Sequence, residues 1–216
     1  MDLTRRRMGL LTVALLLAAG LGLVGHGFYI PVKAWLAQRL LERSWTAAQA
    51  GQKVRPWPWA DTRAVARLLV PRLQRSQILL AGAHGRSLAF GPGHVDGTTL
   101  PGRVGHSIIS AHRDTHFAFL RNLRVGDLIV TETPAGRHRA FRVVDLRVMD
   151  TRRDELVHEP DADRLTLVTC YPFEALRAGG PLRYLVTAEP VPTVFRKSNN
   201  GSLTRAAYQA EPAALK

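Results

Sequence analysis

The sequence predicts a mainly β domain, a closed barrel or a sandwich, carried behind an N-terminal apolar segment. Three observations predict it. From Pro71 onward the chain breaks into short apolar runs with β-branched residues. Gly and Pro punctuate between the runs, at Gly91-Pro92-Gly93, Pro101-Gly102, Pro134-Ala135-Gly136 and Gly179-Gly180-Pro181. Helical character is confined, within that part, to Thr115–Leu123 and Arg153–His158. Many short strands at such spacing argue for sheet closed on itself or sheet packed on sheet.

In chain order, Arg5-Arg6-Arg7 come first, followed by Met8–Ile30, 23 residues without Asp, Glu, Lys or Arg. A span of that length crosses a ~30 Å hydrocarbon core. Residues 1–30 are therefore read as a cytoplasmic tip and an uncleaved transmembrane anchor, with Ala18-Ala19-Gly20 keeping a cleaved signal peptide as the alternative. The arginine triplet and the α-amino group favour a cytoplasmic N-terminus over the looser cluster Lys33, Arg39 and Arg43. The rest of the chain then lies outside the cytoplasm.

Residues 31–70 read as an amphipathic helix and a linker. Within 33–50, Leu36, Ala37, Leu40, Leu41, Ala47 and Ala48 fall on one face and Gln38, Arg39, Glu42, Arg43 and Thr46 on the other. This helix either rests on a membrane surface or packs against the domain. Pro56-Trp57-Pro58-Trp59 stops it and stiffens the connection. Residues 71–190 hold the expected strands Gln77–Ala81, Ser107–Ala111, Leu128–Glu132, Ala140–Val148, Arg164–Cys170 and Arg183–Ala188. Residues 191–216, with Ser198-Asn199-Asn200-Gly201-Ser202, read as a flexible tail.

The charge distribution narrows the function. Of the net +13, residues 31–80 carry +7, whereas 81–190 carry only +1. A nucleic-acid binder concentrates its basic residues on the folded domain, and this domain is nearly neutral. The excess belongs to the stalk and tail, which suits an anionic membrane surface and argues against a nucleic-acid partner.

The only cysteine of the chain, Cys170, excludes an internal disulfide framework, and no Cys/His cluster has zinc spacing. Composition alone favours a buried, inert thiol. Its position argues otherwise. On a strand over 165–170, Thr166, Val168 and Cys170 share one face, and Leu165, Leu167 and Thr169 the other. Pro172 then ends the pairing, so the thiol sits at a strand end, where a side chain can reach a cleft. A nucleophilic thiol needs a proton-handling partner and a donor for the developing oxyanion. "HSIISAHRDTH" supplies three candidate histidines, His106, His112 and His116, and composition does not choose among them. Arg183 opens the last strand, thirteen residues after Cys170. A strand entering beside the cysteine strand brings its first residue close to the thiol.

Together these residues resemble a known family. "TLVTC" at Thr166–Cys170, "SAHRDTHF" at Ser110–Phe117 and "RYLV" at Arg183–Val186 are similar to the three active-site motifs of the sortases, in the same order. With "PWPWAD" at Pro56–Asp61, "LAFGPGH" at Leu88–His94, "VGDLI" at Val125–Ile129 and "TCYPF", the chain most resembles the Gram-negative class (class GN) over roughly residues 55–190. The resemblance implies a closed eight-stranded β-barrel behind a single-pass anchor. It further implies a thiol endopeptidase and transpeptidase at the bacterial inner membrane, with a periplasmic catalytic domain. Such enzymes cleave an LPxTG-like sorting signal of a surface protein between Thr and Gly, through a thioester resolved by an amine acceptor.

By motif, Cys170 is the nucleophile, His112 the general acid/base and Arg183 the oxyanion or carbonyl partner; Thr166, Val168 and Thr169 are candidate substrate contacts. Arg177, in the loop after the cysteine, is the alternative to Arg183. Ala111 departs from the Gly that many members carry before the histidine. No cofactor is implied, although calcium activates some members through loop acids. Asp150, Asp154, Glu155, Glu159, Asp161 and Asp163 supply such acids here without EF-hand spacing. Two other readings compete: an L,D-transpeptidase, whose Ser-His-Gly-Cys context Val168-Thr169 breaks, and a non-enzymatic anchored module with an incidental thiol.

Overall fold

The computed structural model describes residues 36–52, 54–175 and 179–191. The charge-free span 8–30, Arg177 and the tail beyond 191 lie outside the described residues. Among the described residues no helix is long and apolar enough to cross a membrane.

Eight strands close into a barrel. They are β1 (Ala64–Val70), β2 (Arg75–Ala81), β3 (Gly93–His94), β4 (His106–Ser110), β5 (Leu128–Glu132), β6 (His138–Asp150), β7 (Arg164–Cys170) and β8 (Leu182–Val191). Around the wall they run β1-β2-β3-β4-β7-β8-β6-β5. Two neighbouring pairs are parallel, β2–β3 and β4–β7; the others are antiparallel. The interior is filled by alternate residues, among them Leu68, Leu79, Ile109, Ile129, Phe141, Leu165, Leu167 and Val186.

Two strands lie where the sequence pattern puts none. β1 occupies the end of the expected linker, so the barrel begins at Ala64 and not at Pro71. Its sequence AVARLLV is as suitable for a helix as for a strand, and what makes it a strand is pairing with β2 on one side and β5 on the other. β3 is only two residues long. A Cβ at Gly93 would stand 2.3 Å from the Gly82 carbonyl oxygen, so only glycine permits that close passage. β6 and β8 are longer than expected because each supports the other from Ala140↔Val191 to Asp150↔Leu182, with a bulge between Val143 and Asp145.

The helical expectations are corrected as well. Thr115–Leu123 contributes a single 3-10 turn, Ala118–Asn122, and Arg153–His158 is not helical. The first segment closes instead on the strand end, since the Phe117 N–H donates to the His112 carbonyl at 3.0 Å. In the second, Asp150 accepts from the Arg152 N–H and guanidinium, which holds its carboxyl down to about 2 and shapes a turn. Phe117 is fully buried and its ring packs edge-on against Phe119 at 5.8 Å. Phe117→Ala is expected to cost about 3–5 kcal/mol of stability, read as a lowered midpoint in urea denaturation.

The helix expected over 33–50 is observed over 36–49, here α1. It packs on the barrel: Leu41 and Trp45 join Ala64, Ile78 and Leu80, with Trp57 and Phe90 at the edge. Trp57 meets Phe90 edge-on at 4.6 Å, whereas Trp59 is 82% exposed. Arg67 of β1 bonds Glu42 at 2.7 Å and lies over the Trp45 ring. A second helix, α2 (Gly85–Leu88), is one turn in the β2–β3 connection.

Candidate active site

Cys170 is the last residue of β7, and β7 runs between β4 and β8. On one side, Cys170 is the direct antiparallel partner of Arg183 at the start of β8. On the other, the parallel pairing runs to Ser110↔Val168 and continues when the Ala111 N–H donates to the Val168 carbonyl at 3.2 Å. Thr169 Oγ1 also donates to the Ala111 carbonyl at 2.7 Å. These bonds carry His112 out of β4 level with the end of β7. The three motifs, 58 and 13 residues apart, thus meet at one rim of the barrel.

The structure separates the three histidines. His106 sits at the opposite end of β4, 2% exposed, with Nε2 on Thr166 Oγ1 at 2.9 Å and Nδ1 facing the Glu159 N–H at 3.2 Å. Because Nδ1 accepts, the proton resides on Nε2 and the ring is neutral. His116 bonds the Ala89 backbone and burial pushes its pKa down, helped by neighbouring His112. His112 is exposed at the rim. Cys170 is half-buried and free.

Arg183 is positioned through one end of its guanidinium. Nη1 donates to the carbonyls of Gly180 at 2.6 Å and Leu182 at 2.9 Å. The loop between β7 and β8 is braced in turn. Arg113 Nη2 donates to the Ala175 carbonyl at 2.7 Å, Arg121 lies over the Phe173 ring at 5.1 Å, and Tyr171, Phe173 and Tyr184 form an aromatic cluster. The Tyr171 N–H still pairs with the Leu182 carbonyl, so strand pairing ends at Pro172, as its missing donor requires.

The proposed substrate contacts separate by face. Val168 lies two residues before Cys170 on the same side and joins Ile108, Met149 and Leu185 in an apolar platform outside the main core, with Val95 and Leu156 packed on it. Thr166 shares that face but is closed off by His106. Thr169 points the other way, is buried, and ties β7 to the Ala111 carbonyl. The sequence reading missed the rest of the platform, though alternation held the signal: Ile108 is two before Ser110, and Leu185 two after Arg183.

Of the six loop acids, three are engaged with arginines: Asp150 with Arg152, Asp163 with Arg139 at 2.6 Å and Glu159 with Arg164 at 3.3 Å. Among the described residues no group of three or more His, Cys, Asp or Glu is arranged to hold a metal ion.

Burial pushes His106 below its usual pKa of 6.5, with His158 and Arg164 adding to the shift and Glu159 opposing it. The unfolded chain therefore takes up a proton as pH falls through 6.5, while the folded chain does not. Stability is expected to be full above pH 6.5 and to decline below it. The check is the melting temperature against pH, with His106→Gln flattening the slope between about pH 5 and 6.5.

The sortase domain family model matches residues 68–191. Sortase D of Bacillus subtilis is 26% identical over 125 residues, and the chain spans 62% of the length of that curated relative. Sortase C1 of Streptococcus agalactiae superposes with a TM-score of 0.54 at 26% identity, covering 75% of this chain and 91% of that one. Sortase C-1 of Actinomyces oris gives 0.51 at 32% identity, over 60% and 76%. These relatives are Gram-positive sortases.

Proposed function

The chain belongs to the sortase family, and from that premise we propose that it is a membrane-anchored cysteine transpeptidase. It cleaves an LPxTG-like C-terminal signal of a surface protein between Thr and Gly and passes the protein to an amine. The observation that carries this reading is the register Cys170↔Arg183, with the His112 strand end bonded along the other edge of β7.

The chemistry follows from that arrangement. The Cys170 thiolate attacks the threonine carbonyl carbon, and negative charge moves onto its oxygen. Arg183 presents guanidinium donors to that oxygen. As the C–N bond breaks, His112 as imidazolium gives its proton to the leaving glycine amine. A thioester on Cys170 remains. An incoming amine then loses a proton to His112 and attacks the thioester, releasing the thiolate. The apolar platform of Ile108, Val168 and Leu185 suits the leucine and proline of such a signal.

The finer placements belong to the same proposal. "TCYPF", "PWPWAD" and "LAFGPGH" support the Gram-negative class, and the span Met8–Ile30 behind Arg5-Arg6-Arg7 supports a single-pass inner-membrane anchor with a periplasmic barrel. Residues 81–190, which hold the three motifs, carry only +1, which supports a protein substrate over nucleic acid. The test is incubation of the full-length protein with LPxTG-type peptides, followed by mass spectrometry of the intact chain. A thioester adduct on Cys170 is the expected product; a peptide library that leaves Cys170 unacylated overturns the reading.

A further inference from the structure

Seven arginines of the described residues hold a carboxylate, among them Arg67 with Glu42, Arg72 with Asp127 and Arg139 with Asp163. Three others gather instead around one pocket of about 340 Å³. Arg63 precedes β1, Arg103 lies in the connection from β3 to β4, and Arg137 ends the β5–β6 turn. No Asp or Glu lines the pocket, and among the described residues none of these three guanidiniums makes an ion pair or a hydrogen bond. The backbone holds each arginine in place. The Arg63 carbonyl accepts from the Ala81 N–H at 2.9 Å. The Arg103 carbonyl accepts from Arg139 Nη1, and the Arg103 N–H donates to the Leu100 carbonyl at 3.1 Å. The Arg137 carbonyl accepts from the Thr133 N–H at 2.8 Å, and the Arg137 N–H donates to Thr133 Oγ1 at 3.1 Å. A Cβ on Gly102 would stand 2.2 Å from Thr133 Cγ2, so the Arg103 turn sits directly on the Arg137 turn. Like charges fixed around one rim, with no carboxylate among the lining residues, repel one another, and a bound anion removes that cost.

We propose that this pocket binds a phosphate-bearing ligand with a small apolar part. Three guanidiniums outnumber the two oxygens of a carboxylate and suit the terminal oxygens of a phosphate group. Beside them Val54, Leu100, Pro101 and Pro134 offer apolar surface, and Val54 and Leu100 are exposed. The pocket lies at the end of the barrel away from the catalytic rim. β1, β4, β6 and β7 all begin at its end, whereas the rim forms where β4 and β7 finish, at Ser110 and Cys170. The site is therefore separate from the thiol chemistry and does not rest on the proposed transpeptidase reading. Its lining joins Ala48 of α1 to the start of β1 and to the β5–β6 turn. An occupied pocket thus ties α1 to the barrel, and a ligand that binds only the folded chain raises its melting temperature.

The test is calorimetric titration of the full-length protein in neutral detergent, with sodium pyrophosphate in one arm and monomeric dihexanoyl phosphatidic acid in the other. Saturable binding below about 1 mM is expected in at least one arm, weakened at least about tenfold by Arg103→Gln/Arg137→Gln. Tighter binding of the phosphatidic acid assigns the ligand to a lipid, and equal or tighter binding of pyrophosphate assigns it to a soluble phosphate. Arg75→Gln, at an exposed position opening β2 and outside the pocket, is the control for general charge and should leave the affinity unchanged. Arg63→Gln, on a different element, repeats the test should the double variant melt early, and Arg103→Lys/Arg137→Lys should bind with intermediate affinity. No saturable binding in either arm overturns the proposal. So does an affinity that the pocket variants leave unchanged, or that Arg75→Gln lowers as much as they do. Acetate that displaces pyrophosphate at equal concentration overturns the assignment to phosphate.

Discussion

Cys170→Ala is expected to abolish acyl transfer, lowering peptide cleavage by at least about 10³-fold, while the melting temperature stays close to that of the parent. The loss is chemical because no other residue supplies a sulfur nucleophile: the chain holds a single cysteine. Stability is spared because the side chain is half-buried at a strand end and fills no part of the main core. The measurements are peptide turnover and the mass of the intact protein after incubation, which should show no adduct. A Cys170→Ala protein that turns peptide over at the parental rate removes the thioester from the mechanism and leaves the non-enzymatic reading of the thiol standing.

Arg183→Lys keeps the charge and is expected to cost about 10²-fold in kcat/KM. The structural reason is that the guanidinium performs two tasks at once. Nη1 is held by the Gly180 and Leu182 carbonyls, and the proposed mechanism assigns the remaining donors of the planar fork to the carbonyl undergoing attack. A lysine ammonium is one point with three donors on a flexible stem, so satisfying the two carbonyls moves it away from the oxyanion. Arg183→Ala should lose at least as much. A Lys variant with full activity would show that charge alone suffices, or that backbone N–H groups receive the oxyanion.

Much of the site was legible in the sequence because its signals are local. The run Leu165–Thr169 alternates faces as a strand must, and Pro172 limits where that strand can end, so Cys170 falls at a rim. The order of His112, Cys170 and Arg183 and the short motifs around them carried the family. The bond of Thr169 was not legible in the same way, because its partner, the Ala111 carbonyl, lies 58 residues away. Composition did not choose among His106, His112 and His116, which sit within eleven residues; the motif around His112 pointed to it, and burial then separates the three in the fold.

By itself the sequence determined that the domain is mainly β and where the cysteine strand starts and stops. Each of these depends on residue type and on spacing within one element, which the chain carries wherever it goes. Tertiary structure alone decided that AVARLLV is a strand and that Gly93–His94 is another. It also decided that β4 lies parallel to β7, and that α1 packs its apolar face on the barrel. Parallel pairing and ring closure join residues dozens of positions apart, and their stability comes from partners that no local pattern encodes.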